Sequence, residues 1–152
     1  MQLVHSRYSD TQVVVMDPFH LAFLVQSLSE ARRFYRDILD CPEGRSSEDW
    51  VDFNFFGHQI VAHLVKDYDQ DLGTNSVDGD KVPIRHFGIV LTMGDWDKLV
   101  VKLTELDVAF IVEPHVRFKG LAGEQATMFV KDFSNNALEF KAFKEQTDLF
   151  TR

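Results

Sequence analysis

The chain has 152 residues, 45% of them hydrophobic and 14 of them Phe, which is enough to fill one core or two tightly joined small ones and excludes a disordered chain. A net charge of −8 with no cluster of Lys and Arg excludes a nucleic-acid surface. The single cysteine, Cys41, excludes an internal disulfide and a cysteine-rich zinc site.

Residues 1–17 read as an N-terminal extension. "MQLVHSRYSDTQVVVMD" lacks the basic head and long apolar core of a signal peptide, and no run reaches membrane-spanning length. The expected compartment is the cytoplasm, with no membrane partner. A first unit follows over residues 18–66. Phe19 to Gln26 is an apolar run of strand length. "SLSEARRFYRDIL" reads as a helix capped by Ser27 or Ser29, with Leu28, Ala31, Tyr35 and Ile38 at helical spacing. After Gly44, "DWVDFNFF" alternates: Val51, Phe53 and Phe55 point one way, and Trp50, Asp52 and Asn54 the other. Gly57 supports a tight turn into the strand "HQIVAHLV".

Residues 67–82 are polar and acidic and read as a linker. A calcium loop is excluded there, because the ordered ligand spacing and closing Glu are missing. The element order then restarts over residues 83–143. "IRHFGIVLT" is a strand. "DWDKLVVKLTEL" is a helix, with Trp96, Leu99, Val100 and Leu103 on one face. "VAFIVEP" is a short strand closed by Pro114, "RFKGLAGEQ" a loop, "ATMFVKD" a strand, "FSNN" a turn and "ALEFKAF" the last strand. Residues 144–152 form a tail. The halves share element order rather than letters.

Two histidines head matching strands. His20, Ala22 and Leu24 share one face; His86, Gly88 and Val90 share another. Each histidine is followed on its face by a very small residue, which leaves room for a ligand. Glu139 lies between Ala137 and Lys141 on its own face. A carboxylate within such a strand needs a partner to offset its desolvation, and a divalent cation would serve.

In the "HLAFLVQSLSEARRFYRDIL" opening, the second "HFGIVL" opening and the ending "VKDFSNNALEFKAF", the chain resembles the vicinal oxygen chelate superfamily. That superfamily includes glyoxalase I, extradiol dioxygenases and the bleomycin- and fosfomycin-resistance proteins. The resemblance spans roughly Phe19 to Phe143. It implies an α+β fold of two paired βαβββ modules forming a curled mixed sheet around a central metal cleft. It implies one divalent metal ion held by His20, His86 and Glu139, with Fe(II) favoured and Zn, Mn or Ni as alternatives. It also implies a small-molecule substrate and a homodimer.

The fourth metal position falls on "HQIVAHLV". Counting from the turn gives Val61, which has no ligand atom. His63 shares that face one step further along and is the candidate fourth ligand. His58 is on the opposite face and ranks below it. His115, after Pro114, is the candidate general acid or base. Arg117 and Lys119 are either solvated or grip an anionic substrate. His5 lies in the irregular N-terminal segment.

Two histidines and one carboxylate with open positions form the triad of non-haem Fe(II) oxygenases. The expected activity is therefore ring cleavage of a catechol-like substrate by an extradiol dioxygenase-type oxidoreductase. The alternatives are a glyoxalase I-like lyase acting through a metal-bound enediolate, which the four-ligand site would suit, and a bleomycin-resistance-like binding protein. A fosfomycin-type transferase is a further option.

Overall fold

The computed structural model describes residues 16–68 and 73–150. His5 and most of the N-terminal extension lie outside them.

Strand β1 (His20–Val25) turns Phe23 and Val25 toward the core and leaves His20 and Ala22 exposed. Ser27 caps helix α1 (Leu28–Ala31), its hydroxyl accepting the Glu30 N–H at 3.3 Å. The helix widens into a π-helical stretch over Arg32–Ile38, which buries Phe34 and Tyr35. Strands β2 (Glu43–Ser46), β3 (Trp50–Phe55) and β4 (His58–Leu64) follow. The turn between β3 and β4 puts Phe56 and Gly57 at positive φ, the conformation that suits the twist of a two-residue hairpin. The sheet order is β1-β4-β3-β2, with β1 parallel to β4.

The stretch expected as a linker is partly structured. Residues 74–83 form a hairpin of β5 (Thr74–Val77) and β6 (Asp80–Pro83). Its turn is Asp78-Gly79, with φ of 45° and 85°. Asp-Gly is a strong short-range hairpin signal, and here it overrides the acidic composition.

The second half repeats the first. β7 (His86–Leu91), α2 (Met93–Glu105), β8 (Phe110–Arg117), β9 (Gln125–Lys131) and β10 (Ala137–Ala142) build a sheet of order β7-β10-β9-β8, with β7 parallel to β10. This is the same permutation, so the two βαβββ modules expected from element order are present. One boundary differs. β8 continues through Pro114 to Arg117, which places His115 in a strand rather than a loop. Pro114 is tolerated because β8 is an edge strand and its register shifts between Val112 and His115.

The modules share one core. Val25, Phe53, Phe55 and Ile60 of the first meet Leu91, Met128, Leu138 and Phe140 of the second. The Phe23 and Phe87 rings lie 5.3 Å apart, and Phe55 and Phe87 5.8 Å. Strand alternation then fixes the rest: the faces bearing His20 and His86 look away from this shared core.

The Asp132–Asn136 turn also ties the halves. Asp132 accepts the Ser134 and Asn136 N–H groups at 2.9 and 2.8 Å. It also accepts the Tyr35 hydroxyl at 2.9 Å, while the Asn136 side-chain amide donates to the Leu24 carbonyl at 2.9 Å. Asn135 takes φ of 67°, a left-handed position that asparagine tolerates.

Candidate metal centre

Glu139 is 4% exposed, and its two oxygens have different surroundings. Oε1 accepts the Thr127 hydroxyl at 2.8 Å and lies 3.6 Å from Nη1 of Arg117. Oε2 lies 3.2 Å from Nε2 of His86 and 3.4 Å from the Lys141 ammonium. Oε1 is thus held by fixed donors. Glu139 also lines a cavity of about 190 Å³, with His86, Gly88, Ile89, Val90 and Lys141. Gly88 has a packing reason as well as the expected spatial one, since any side chain there would run into the Glu139 carbonyl oxygen.

The electrostatics are coupled. The hydrogen bond to Glu139 holds the His86 imidazole above its ordinary range, although burial opposes this. Burial pushes the Glu139 carboxyl up, but hydrogen bonds from His86 and Thr127 and the charge of Lys141 outweigh it, and the group lies below its ordinary range.

The His86 ring is oriented for a metal. Its Nδ1 sits 2.6 Å from the Pro83 carbonyl, which only accepts, so Nδ1 donates there, while Nε2 donates to the Glu139 carboxylate and would give up that proton to a metal ion. A histidine that donates from one nitrogen to a carbonyl and offers the other is the usual form of a metal ligand. The Lys141 ammonium holds the place of a cation beside Oε2. His86 and Glu139 therefore fit a divalent ion.

His20 is not brought to them within one chain. Among the described residues, no three His, Cys, Asp or Glu groups come close enough to hold one ion. His20 lies on the outer face of the first module, exposed, with Nδ1 2.9 Å from the Gln59 side-chain oxygen.

The register fixes the fourth position. Glu139 pairs with Gly88, two residues on from His86, and Val61 pairs with Ala22, two residues on from His20. Val61 is therefore the counterpart of Glu139, as the turn count expects. His63 pairs with Leu24 and is the counterpart of Lys141, which pairs with Val90. That places it roughly 13 Å along the sheet from His20 at about 3.3 Å per residue. His58 faces the other way, its Nδ1 accepting the Phe19 N–H at 2.9 Å.

His115 does not line the cavity. Its Nε2 is 2.9 Å from Asp80 and its Nδ1 2.7 Å from the Glu113 carbonyl. Asp80 also accepts from Arg117 at 3.0 Å, so the β5–β6 hairpin connects to Glu139 through a buried arginine. Lys119 lies beyond the end of β8, in the exposed β8–β9 connection. Thr127, Gln59 and Asp80 are site neighbours absent from the sequence-based candidates. The alternation of β9 carries a signal for Thr127, but nothing local marks Asp80.

The glyoxalase/bleomycin resistance protein/dioxygenase superfamily model matches residues 18–140. The chain belongs to this superfamily. Among solved structures, a superfamily member from Alicyclobacillus acidocaldarius is 33% identical, with 88% of this chain and 96% of that chain covered and a TM-score of 0.76. The fosfomycin resistance protein FosX from Listeria monocytogenes is 16% identical, with 90% and 100% covered and a TM-score of 0.65. Its counterpart from Mesorhizobium loti is 14% identical, with 89% and 98% covered and a TM-score of 0.59. These two show the shared fold alone. No curated protein matches the chain. Members of the superfamily generally use divalent metal ions, and they include enzymes acting on small molecules. No helix among the described residues is long and apolar enough to cross a membrane.

Proposed function

We propose that this superfamily member is a metal-dependent enzyme whose metal ion is held by His86 and Glu139 of one chain and His20 of a second copy. One observation carries the reading. His20 and His86 sit at counterpart positions of the two modules, and each has Nδ1 against an acceptor, so each offers Nε2 outward. The faces bearing them look away from the shared core, so a second copy brings a His20 face against a His86 face, with two sites per homodimer.

Val61 occupies the fourth position and coordinates nothing, so the ion keeps several exchangeable places. Two histidines and one carboxylate favour Fe(II), with Zn, Mn or Ni as alternatives. An ion held there would supply Lewis-acid polarisation to two vicinal oxygens of one substrate. This chain's residues supply the rest. Thr127 and Arg117 hold Glu139 by Oε1, which keeps Oε2 directed at the ion. Lys141, beside Oε2, neutralises an anionic substrate. We take ring cleavage of a catechol-like substrate as the reaction. The four-ligand glyoxalase-type site is less well served, because His63 is too far along the sheet to share an ion with His20.

Lys141 supports a second reading, a non-redox reaction on a small anion, the class to which the fosfomycin resistance proteins of similar fold point. Anaerobic purification, elemental analysis and oxygen uptake with catechols separate the two. Stoichiometric iron with oxygen uptake supports ring cleavage. Manganese or zinc without uptake supports the second reading, and metal-free protein with no affinity for any of these ions overturns both.

A further inference from the structure

We propose that Gln59 and Asp52 are positioning residues for His20. Together they form a carboxylate–amide–imidazole chain across the outer face of the first module, which fixes the His20 tautomer with its proton on Nδ1. The proposal rests on the metal reading of His20 for its purpose, but the tautomer is a property of the metal-free chain.

Three adjacent strands place the groups. His20 on β1 pairs with Gln59 on β4, and Asp52 on β3 pairs with Val61, the next residue of β4 on the face of Gln59. The hydrogen-bond polarity then follows by elimination. The Asp52 carboxylate only accepts, and its Oδ2 lies 3.0 Å from Nε2 of Gln59. The amide must therefore present its nitrogen to Asp52 and its oxygen to His20. That oxygen also only accepts, and it lies 2.9 Å from Nδ1 of His20. The imidazole must donate from Nδ1, which leaves Nε2 as the lone-pair nitrogen. In water a neutral imidazole carries its proton mainly on Nε2, so the chain selects the form that presents Nε2 to a metal ion.

Asp52 is set in place for this. It is 6% exposed, and its Oδ1 has no hydrogen-bond partner among the described residues. Gly44 makes room, since a side chain there would strike Oδ1. A buried carboxylate with one hydrogen bond is costly to keep. Its charge is best used when the far end of the chain faces a cation, because a metal on Nε2 draws positive charge onto the His20 ring. The second module places the His86 Nδ1 proton by a local route, the Pro83 carbonyl. His58, on the opposite face of the first module, shows the reverse polarity, accepting at Nδ1. The Nδ1-donor arrangement is thus common to the two strand-heading histidines, and His115 shares it through the Glu113 carbonyl.

The test is long-range proton–nitrogen correlation spectroscopy of the ¹⁵N-labelled, metal-free full chain, at a pH about two units above the ordinary histidine value. In the wild type, His20 should show a protonated Nδ1 and a bare Nε2, and His86 a protonated Nδ1. In Gln59→Met, His20 should move to the Nε2-protonated form or a mixture while His86 stays unchanged. Asp52→Asn keeps an oxygen for the Gln59 amide and should retain the wild-type His20 pattern, whereas Asp52→Leu should lose it. Zinc affinity, read by chelator competition, should fall about 10- to 100-fold in Gln59→Met and much less in Asp52→Asn. An Nε2-protonated His20 in the wild type, or an unchanged His20 in Gln59→Met, overturns the proposal. If Asp52→Leu fails to fold, Gln59→Met and Asp52→Asn still decide it. Failure of the metal reading shows elsewhere: His20→Ala would then leave zinc affinity unchanged while the tautomer pattern still held.

Discussion

Glu139 pairs with Gly88 across β7 and β10 at the register step where, in the other module, Val61 pairs with Ala22. One pairing carries a buried carboxylate and the other an aliphatic side chain. The two modules therefore share a backbone and, in the proposed site, contribute unequally: a histidine and a carboxylate from the second, a histidine alone from the first.

That inequality predicts the order of ligand losses. His20→Ala, His86→Ala and Glu139→Ala should each lower zinc affinity by at least about tenfold, the minimum for a lost ligand. His63→Ala should leave it within about twofold, since His63 is the counterpart of Lys141. Chelator competition measures all four, and a large loss in His63→Ala would return that residue to the ligand set.

The pH dependence follows from the His86–Glu139 pair. His86 is raised above 6.5, so its contribution to stability is complete below 6.5 and is lost as pH rises through its raised value. Glu139 is lowered below 4.5, so its contribution is complete above 4.5 and is lost as pH falls through its lowered value. In metal-free protein the pair should stabilise most between these limits, and His86→Ala should flatten the high-pH side of that plateau in denaturant titrations. Metal binding runs the other way, because the proton on His86 competes with the ion. Affinity should climb with pH until His86 is fully deprotonated.

Gly88→Ala should destabilise the protein by about 1–3 kcal/mol or more, since the added methyl meets the Glu139 backbone carbonyl rather than a movable side chain. Urea unfolding of the metal-free protein measures this. An unchanged midpoint would mean that β7 and β10 separate easily.

Tyr35→Phe should cost about 1–2 kcal/mol. The hydroxyl is buried and donates to Asp132, which keeps its bonds from Ser134 and Asn136 when the phenol is lost. Burial, with the neighbouring Asp132 charge, pushes the phenol well above its ordinary range, so Tyr35 should stay protonated in native protein. An alkaline absorbance titration checks that, with Tyr35 ionising only on unfolding.

Much of the fold was legible in the sequence because it rests on short-range regularities. Period-two alternation in "DWVDFNFF" and "HFGIVL" sets which face of each strand is buried, and the repeated order of elements reveals the module. The Asp78-Gly79 hairpin was also written locally, but the acidic stretch around it obscured the signal. Pro114 misled in the other direction, because a missing N–H ends a strand only where a neighbour needs it, and β8 is an edge.

By itself the sequence determined the two strand-heading histidines, the carboxylate Glu139 on the strand face opposite Leu138 and Phe140, and the aliphatic residue at position 61, since alternation and turn spacing are properties of neighbouring residues. Only the tertiary structure decided which of them meet. The Phe23, Phe55, Phe87 and Phe140 rings bury against one another between the sheets, and that packing turns the histidine faces outward, so His86 finds Glu139 while His20 finds Gln59 and Asp52. Contacts between residues far apart in the chain depend on which faces the core consumes, and strand patterns alone do not say which sheet will cover which.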